Sequence, residues 1–170
     1  MNTKTFISMI VLSIMLVSLS FAADIDRMGG RWGLGLFGTT PTVRINFTDS
    51  VSTQLGVGYQ APNSNAVGSP PGVFNGLLLL SFKGPTLGEG GKNAMTWGIL
   101  GRTSSNVGNV SGNTSTDVGL TIGFETLINP NFVVGVTLIP VQNRSSVTGG
   151  VSSNSWDFLN EAQITGHILL

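Results

Sequence analysis

The residues best suited to acid–base chemistry are a lone histidine, His167, and eight scattered carboxylates; the chain has no cysteine. A histidine becomes a useful base only when a carboxylate orients one ring nitrogen and a nucleophile meets the other. The neighbours of His167, from Thr165 to Leu169, supply no carboxylate. Glu125 approaches it from the same end of the fold derived below, which still leaves the constellation short of a triad. The chain therefore reads as not an enzyme. One histidine and dispersed acids lack metal-ligand spacing, so neither a metal nor a cofactor is expected. The run Gly33-Leu34-Gly35-Leu36-Phe37-Gly38 has the glycine spacing of a dinucleotide loop, but it falls inside a strand with no helix behind it, where that chemistry fails.

What positions these residues is a period of two. In Val51-Ser52-Thr53-Gln54-Leu55-Gly56-Val57-Gly58-Tyr59, Val51, Leu55, Val57 and Tyr59 share one face, and Ser52, Gln54, Gly56 and Gly58 the other. Such alternation is the signature of β-strands. It predicts eight of them, near 31–38, 42–47, 51–60, 74–83, 94–103, 118–128, 132–142 and 156–170. Asp49-Ser50 and Asn129-Pro130-Asn131 make tight turns. The segments 61–73, 104–117 and 143–155 read as long polar loops at the opposite end. Two links depart from that rhythm: 39–41 is very short, and 84–93 is long for a turn.

Only 9% of the residues are charged, so the apolar face has no charged face opposite to hold it in water. The bilayer is the solvent this pattern suits. No mature stretch is long and apolar enough for a membrane helix, which leaves a closed barrel with no unpaired edge in hydrocarbon. Lys4, the apolar run 6–19 and Ser20-Phe21-Ala22 have the layout of a signal peptide cleaved after residue 22. The expected division is 1–22 signal peptide, 23–30 short periplasmic N-terminal segment and 31–170 barrel. A mature net charge of about −1 offers no basic patch, so nucleic acid is not an expected partner.

With the apolar face outward, aromatics gather at the two rims. Trp32, Phe47, Phe82, Phe124 and Phe132 fall at the periplasmic end, and Tyr59, Phe74, Trp156 and Phe158 at the outer end. Amphipathic rings favour such interfaces. The inward face then carries Arg44, Lys83, Arg102, Asp117, Glu125, Asp157, Glu161 and His167. Buried charges need partners, and Arg44 and Arg102 are expected to meet Glu161, Asp157 or Asp117 in the upper half. Leu77-Leu78-Leu79-Leu80 must send one pair of leucines inward, joined by Leu100, Leu159 and Ile139. Inward glycines, among them Gly35, Gly56, Gly119 and Gly123, would widen any remaining space. These groups form either a structural plug or a polar path for a solute.

In signal peptide, alternating strands and a last strand reaching the C-terminus, residues 31–170 resemble the eight-stranded outer-membrane barrels of Gram-negative bacteria, the OmpX-like, OmpA-like and OmpW-like proteins. Ile164, Gly166, Ile168 and Leu170 hold the alternate positions of that strand, with Leu170 where the family ends in an aromatic residue. The resemblance implies an all-β, eight-stranded antiparallel up-and-down transmembrane β-barrel in the bacterial outer membrane. Its implied partners are outer-membrane lipids, lipopolysaccharide and the barrel-insertion machinery, and a monomer is expected. Three roles stay open: a structural or surface-interaction barrel, a narrow channel or small hydrophobic-ligand transporter, and a soluble secreted lipocalin-like barrel.

Overall fold

The computed structural model describes residues 28–61, 72–88, 91–107 and 113–170. The expected signal peptide, residues 23–27, and residues 62–71 and 108–112 of the predicted loops lie outside the described residues; residues 104–107 and 114–117, expected in a loop, are strand. Eight strands follow in chain order: β1 (Trp32–Phe37), β2 (Thr40–Asn46), β3 (Val51–Gln60), β4 (Gly72–Leu87), β5 (Asn93–Val107), β6 (Thr114–Asn129), β7 (Phe132–Thr148) and β8 (Val151–Leu169). Each pairs antiparallel with its sequence neighbours, and β8 closes on β1, so the sheet is a sealed up-and-down barrel. Closure runs from Gly33 opposite Leu169 to Phe37 opposite Thr165.

The period of two decides what each face meets. Leu34, Leu55, Leu120, Ile122 and Ile168 project outward and stay about half exposed, while Thr42, Gln54, Thr121, Thr137 and Gln142 are buried inside. This arrangement inverts that of a soluble barrel. In β4 the ambiguity of the leucine run resolves in favour of Leu77 and Leu79 inward and Leu78 outward.

Several elements differ from the expectation. The segment 143–155 is no loop: β7 and β8 continue as a ladder to Thr148 opposite Val151, turned by Gly149-Gly150 with φ of 58° and 83°. Serine and threonine fooled composition here, because a ladder needs only backbone partners and tolerates small polar side chains. The link 84–93 is strand at its start, with β4 reaching Leu87 past a register shift between Lys83 and Thr86.

Leu159 does not face the lumen; it is 85% exposed, with φ of 50°. The cause is Pro140. Lacking an N–H, it leaves the ladder, and the register shifts between Ile139 and Val141. The bulge carries β8 out of simple alternation.

Candidate functional site

Side chains fill the lumen in four levels. Met28, Ala94, Leu127, Val133 and Leu169 form an apolar floor at the end where β1 begins and β8 finishes. Above it lies a polar layer built on Arg44. Its register places it opposite Gly33 on β1 and Gln54 on β3. Arg44 Nη1 donates to Glu125 Oε1 at 2.6 Å and Nη2 to Oε2 at 2.9 Å, while Nε donates to Asn46 Oδ1 at 3.0 Å. β2 and β6 lie on opposite sides of the barrel, so this bidentate pair is a strut across its diameter. Arg44 is wholly buried and Glu125 nearly so.

His167 lies in the same layer. Its Nε2 is 2.9 Å from Thr42 Oγ1 and its ring is fully buried, with Nδ1 unpaired among the described residues. Space for the ring comes from Gly35 on β1, directly opposite: a Cβ there would collide with the His167 ring and the Gly166 carbonyl. Lys83 is half-buried near the floor, where Nζ approaches Met28 Sδ at 3.4 Å.

The third level is an apolar belt of Phe37, Leu77, Leu79, Leu100 and Ile139, all buried. It follows directly from inward positions on β1, β4, β5 and β7.

Above the belt the lumen opens into a cup of about 680 Å³, floored by Phe37 and Leu77. Its charges form a cross-strand ladder: Arg102 lies opposite Asp117, and Asp117 opposite Arg144. Facing opposite charges on adjacent strands attract. Arg102 Nη1 donates to Glu161 Oε1 at 2.7 Å, and Nη2 donates to Gln142 Oε1 at 2.8 Å and Asp117 Oδ2 at 3.4 Å. Arg144 Nε donates to Asp117 Oδ1 at 3.1 Å, and its Nη1 lies 3.9 Å from Asp157 Oδ2. Gln163 donates to Glu161.

The expected set Arg44, Arg102, Asp117, Glu125, Asp157, Glu161 and His167 thus faces the lumen, but in two groups. Arg102 meets the acids anticipated for it. Arg44 meets Glu125 instead of Glu161, Asp157 or Asp117, because its position on β2 lies below the belt and those three lie above it. The sequence reading missed Arg144, which the predicted loop 143–155 had taken out of the barrel. Gly119 and Gly123 do not leave free space: a Cβ at Gly119 would press on Ile139 and Gln142, and one at Gly123 on Thr96 and Thr137.

The aromatics expected at the rims divide between the two ends of the barrel wall. Trp32 and Phe47 point outward at the floor end, with Phe82, Phe124 and Phe132 half-buried beside them; Tyr59, Phe74, Trp156 and Phe158 point outward near the other. Trp97, unremarked in the sequence, stacks on Phe82 with ring centroids 4.5 Å apart. Their cross-strand register, Phe82 opposite Trp97, was the signal that would have found it.

Fold and lumen define a class: a closed antiparallel barrel, apolar outside and polar within. No family model, curated protein or solved structure matches the chain, so the assignment to a function rests on this geometry.

Proposed function

We propose that this chain is an integral outer-membrane β-barrel with a structural or surface-interaction role, exported through a cleaved signal peptide and embedded as a monomer among outer-membrane lipids and lipopolysaccharide. The observation that carries the reading is the exposed apolar exterior. Leu34, Leu120, Ile122 and Ile168 expose about half their surface around a wall whose interior holds threonine, glutamine and paired charge between an apolar floor and an apolar belt. A contiguous apolar surface of this extent is costly in water and suited to lipid. A lipocalin-like barrel would carry the opposite arrangement, with its apolar side chains around an inner cavity. The terminal strand keeps Ile164 and Ile168 on the outward face, the alternation an insertion machinery would meet.

The channel reading has less support. The belt of Phe37, Leu77, Leu79, Leu100 and Ile139 lies between the cup and the Arg44 layer, with the Met28 floor beneath. An eight-stranded barrel has just enough interior for its own side chains. The role carries no catalysis on this reading: the buried His167 ring spends Nε2 on Thr42.

Two measurements test the proposal. On a detergent gel the folded chain should migrate differently before and after boiling, and it should remain in the membrane fraction after carbonate extraction. Recovery of the processed chain in the soluble periplasmic extract refutes the assignment. In planar bilayers it should show no conductance steps, and steady unitary currents would transfer support to the channel.

A further inference from the structure

The cup above the apolar belt is polar beyond what closing the barrel requires. Apart from Phe37, Gly76 and Leu77, every residue lining it is charged or bears a hydroxyl or an amide. The register stacks this lining in rows. Arg102, Asp117, Arg144 and Ser155 stand opposite one another across β5, β6, β7 and β8. Two residues further from the belt comes a row of serines, Ser104, Ser115, Ser146 and Ser153. A step of two returns each strand to the same face, and Ser104 and Ser115 accordingly line the cup, half-buried. The facing wall is low, since β1 ends at Phe37 and β2 begins at Thr40, with Thr39 and Thr40 at the lip.

The charges around the cup satisfy one another. Asp117, Asp157 and Glu161 each lie against Arg102 or Arg144, at 2.7 to 3.9 Å. No surplus positive charge remains to hold an anion, and no carboxylate stands apart from arginine to hold a cation. Hydrogen-bonding capacity does remain. Arg102 Nε, and Nε2 of the Gln142 that accepts from Arg102, have no partner among the described residues. Each serine and threonine hydroxyl can donate and accept at once. At about 680 Å³ the cup falls within the range of about 300–1,000 Å³ usual for small-ligand sites.

We infer that the cup binds a neutral mono- or disaccharide. A sugar ring carries hydroxyls around its edge, which donate and accept as the lining does, and C–H groups on its face, which suit the apolar base of Phe37 and Leu77. Its hydroxyls meet the Arg102, Asp117 and Arg144 row and the hydroxyls of Ser104 and Ser115. The belt beneath blocks the way through, so the sugar enters and leaves by the same mouth, and the site captures without transporting. The inference goes beyond the structural role proposed above and needs only the closed barrel.

The test uses the purified full chain folded in amine-oxide detergent micelles, so that no sugar head group competes. Glucose, galactose, mannose, maltose and lactose are titrated in turn while NMR signals are followed. At least one should shift the Arg102 Nε–H and the Ser104 and Ser115 amides saturably, and inorganic phosphate should neither shift them nor displace the sugar. Ser115→Ala, first checked for unchanged heat-modifiability, should weaken binding about threefold to tenfold, as the loss of one hydrogen bond predicts. Ser104→Phe, checked in the same way, fills the cup and should abolish binding. Failure of all five sugars to shift the cup signals, displacement of the sugar by phosphate, or shifts confined to exterior residues such as Tyr59 and Trp156 overturns the inference. So does unchanged affinity in either variant. None of these results alters heat-modifiability or fractionation, so failure here stands apart from failure of the membrane assignment.

Discussion

Arg44 with Glu125 and Arg102 with Glu161 pair the same two kinds of side chain inside one barrel, yet they sit in different media. The lower pair is sealed between the Met28 floor and the apolar belt, with side chains 0% and 6% exposed. The upper pair opens on the cup, at 21% and 25%, and shares its charge with Asp117 and Gln142. Below the belt Arg44 and Glu125 are each other's one ion-pair partner, with Asn46 and Ser52 accepting from the guanidinium, whereas above it several charges and water divide the work. The same contact distance therefore carries different energetic weight. The lower pair is a strut that the barrel cannot lose from one side; the upper group is a network from which one member can be removed.

Glu125→Leu is the largest break in that comparison. It leaves the Arg44 guanidinium buried without its carboxylate, and the expected cost is about 3–5 kcal/mol in urea unfolding from detergent micelles. The double variant Arg44→Met with Glu125→Leu removes both charges and should recover most of that loss, because desolvation of two ions disappears along with their attraction. If the single variant unfolds within about 1 kcal/mol of the parent, the strut described here is not holding the lower barrel.

The two regions were also unequally legible in the sequence. Alternation put the charged members of both groups, Arg144 excepted, on the inward face, since a period of two fixes the face of a residue without any knowledge of its depth. Depth is a property of register, and register depends on turns and bulges. Arg44 was therefore assigned the wrong partner, although its face was right. Leu159 was assigned the wrong face because the bulge at Pro140 breaks the period locally, a consequence of the missing N–H that is visible in the sequence only once the ladder around it is known. Arg144 was lost for a third reason: serine, threonine and glycine mark turns by composition, while backbone pairing from Asn143 to Thr148 ignores it. The apolar belt, by contrast, was partly foreseen, because four leucines in a row cannot all point to one side.

Thr42→Val sharpens the account of the lower region at smaller magnitude. The substitution keeps shape and deletes the hydroxyl that meets His167 Nε2, leaving both ring nitrogens without a described partner. A buried polar atom stripped of its hydrogen bond costs about 1–3 kcal/mol, so the urea midpoint should fall measurably. An unchanged midpoint would mean that the layer around His167 is wetter than its burial implies.

Leu159→Gly probes the upper rim, where the backbone is held at φ of 50° by the bulge while the side chain is 85% exposed. Left-handed backbone costs an L-residue roughly 1–2 kcal/mol, and little packing is lost with this side chain. The variant should gain up to about 1 kcal/mol in the same unfolding measurement. A loss of stability would show that Leu159 packs against something in the folded barrel.

Glu161→Gln carries the smallest expected effect and tests the upper network most directly. Arg102 keeps Gln142 and Asp117, water reaches the site, and partly exposed pairs contribute only about 0–1 kcal/mol. The urea midpoint should move by less than about a quarter of the Glu125→Leu shift. Salt separates the two regions further. At about 1 M the screening length falls to about 3 Å, so the small deficit of E161Q should vanish. The deficit of E125L should persist, because ions do not enter the sealed layer. Salt erasing both deficits alike would mean that the belt of Phe37, Leu77, Leu79, Leu100 and Ile139 does not isolate the strut, and the distinction between the two regions would collapse.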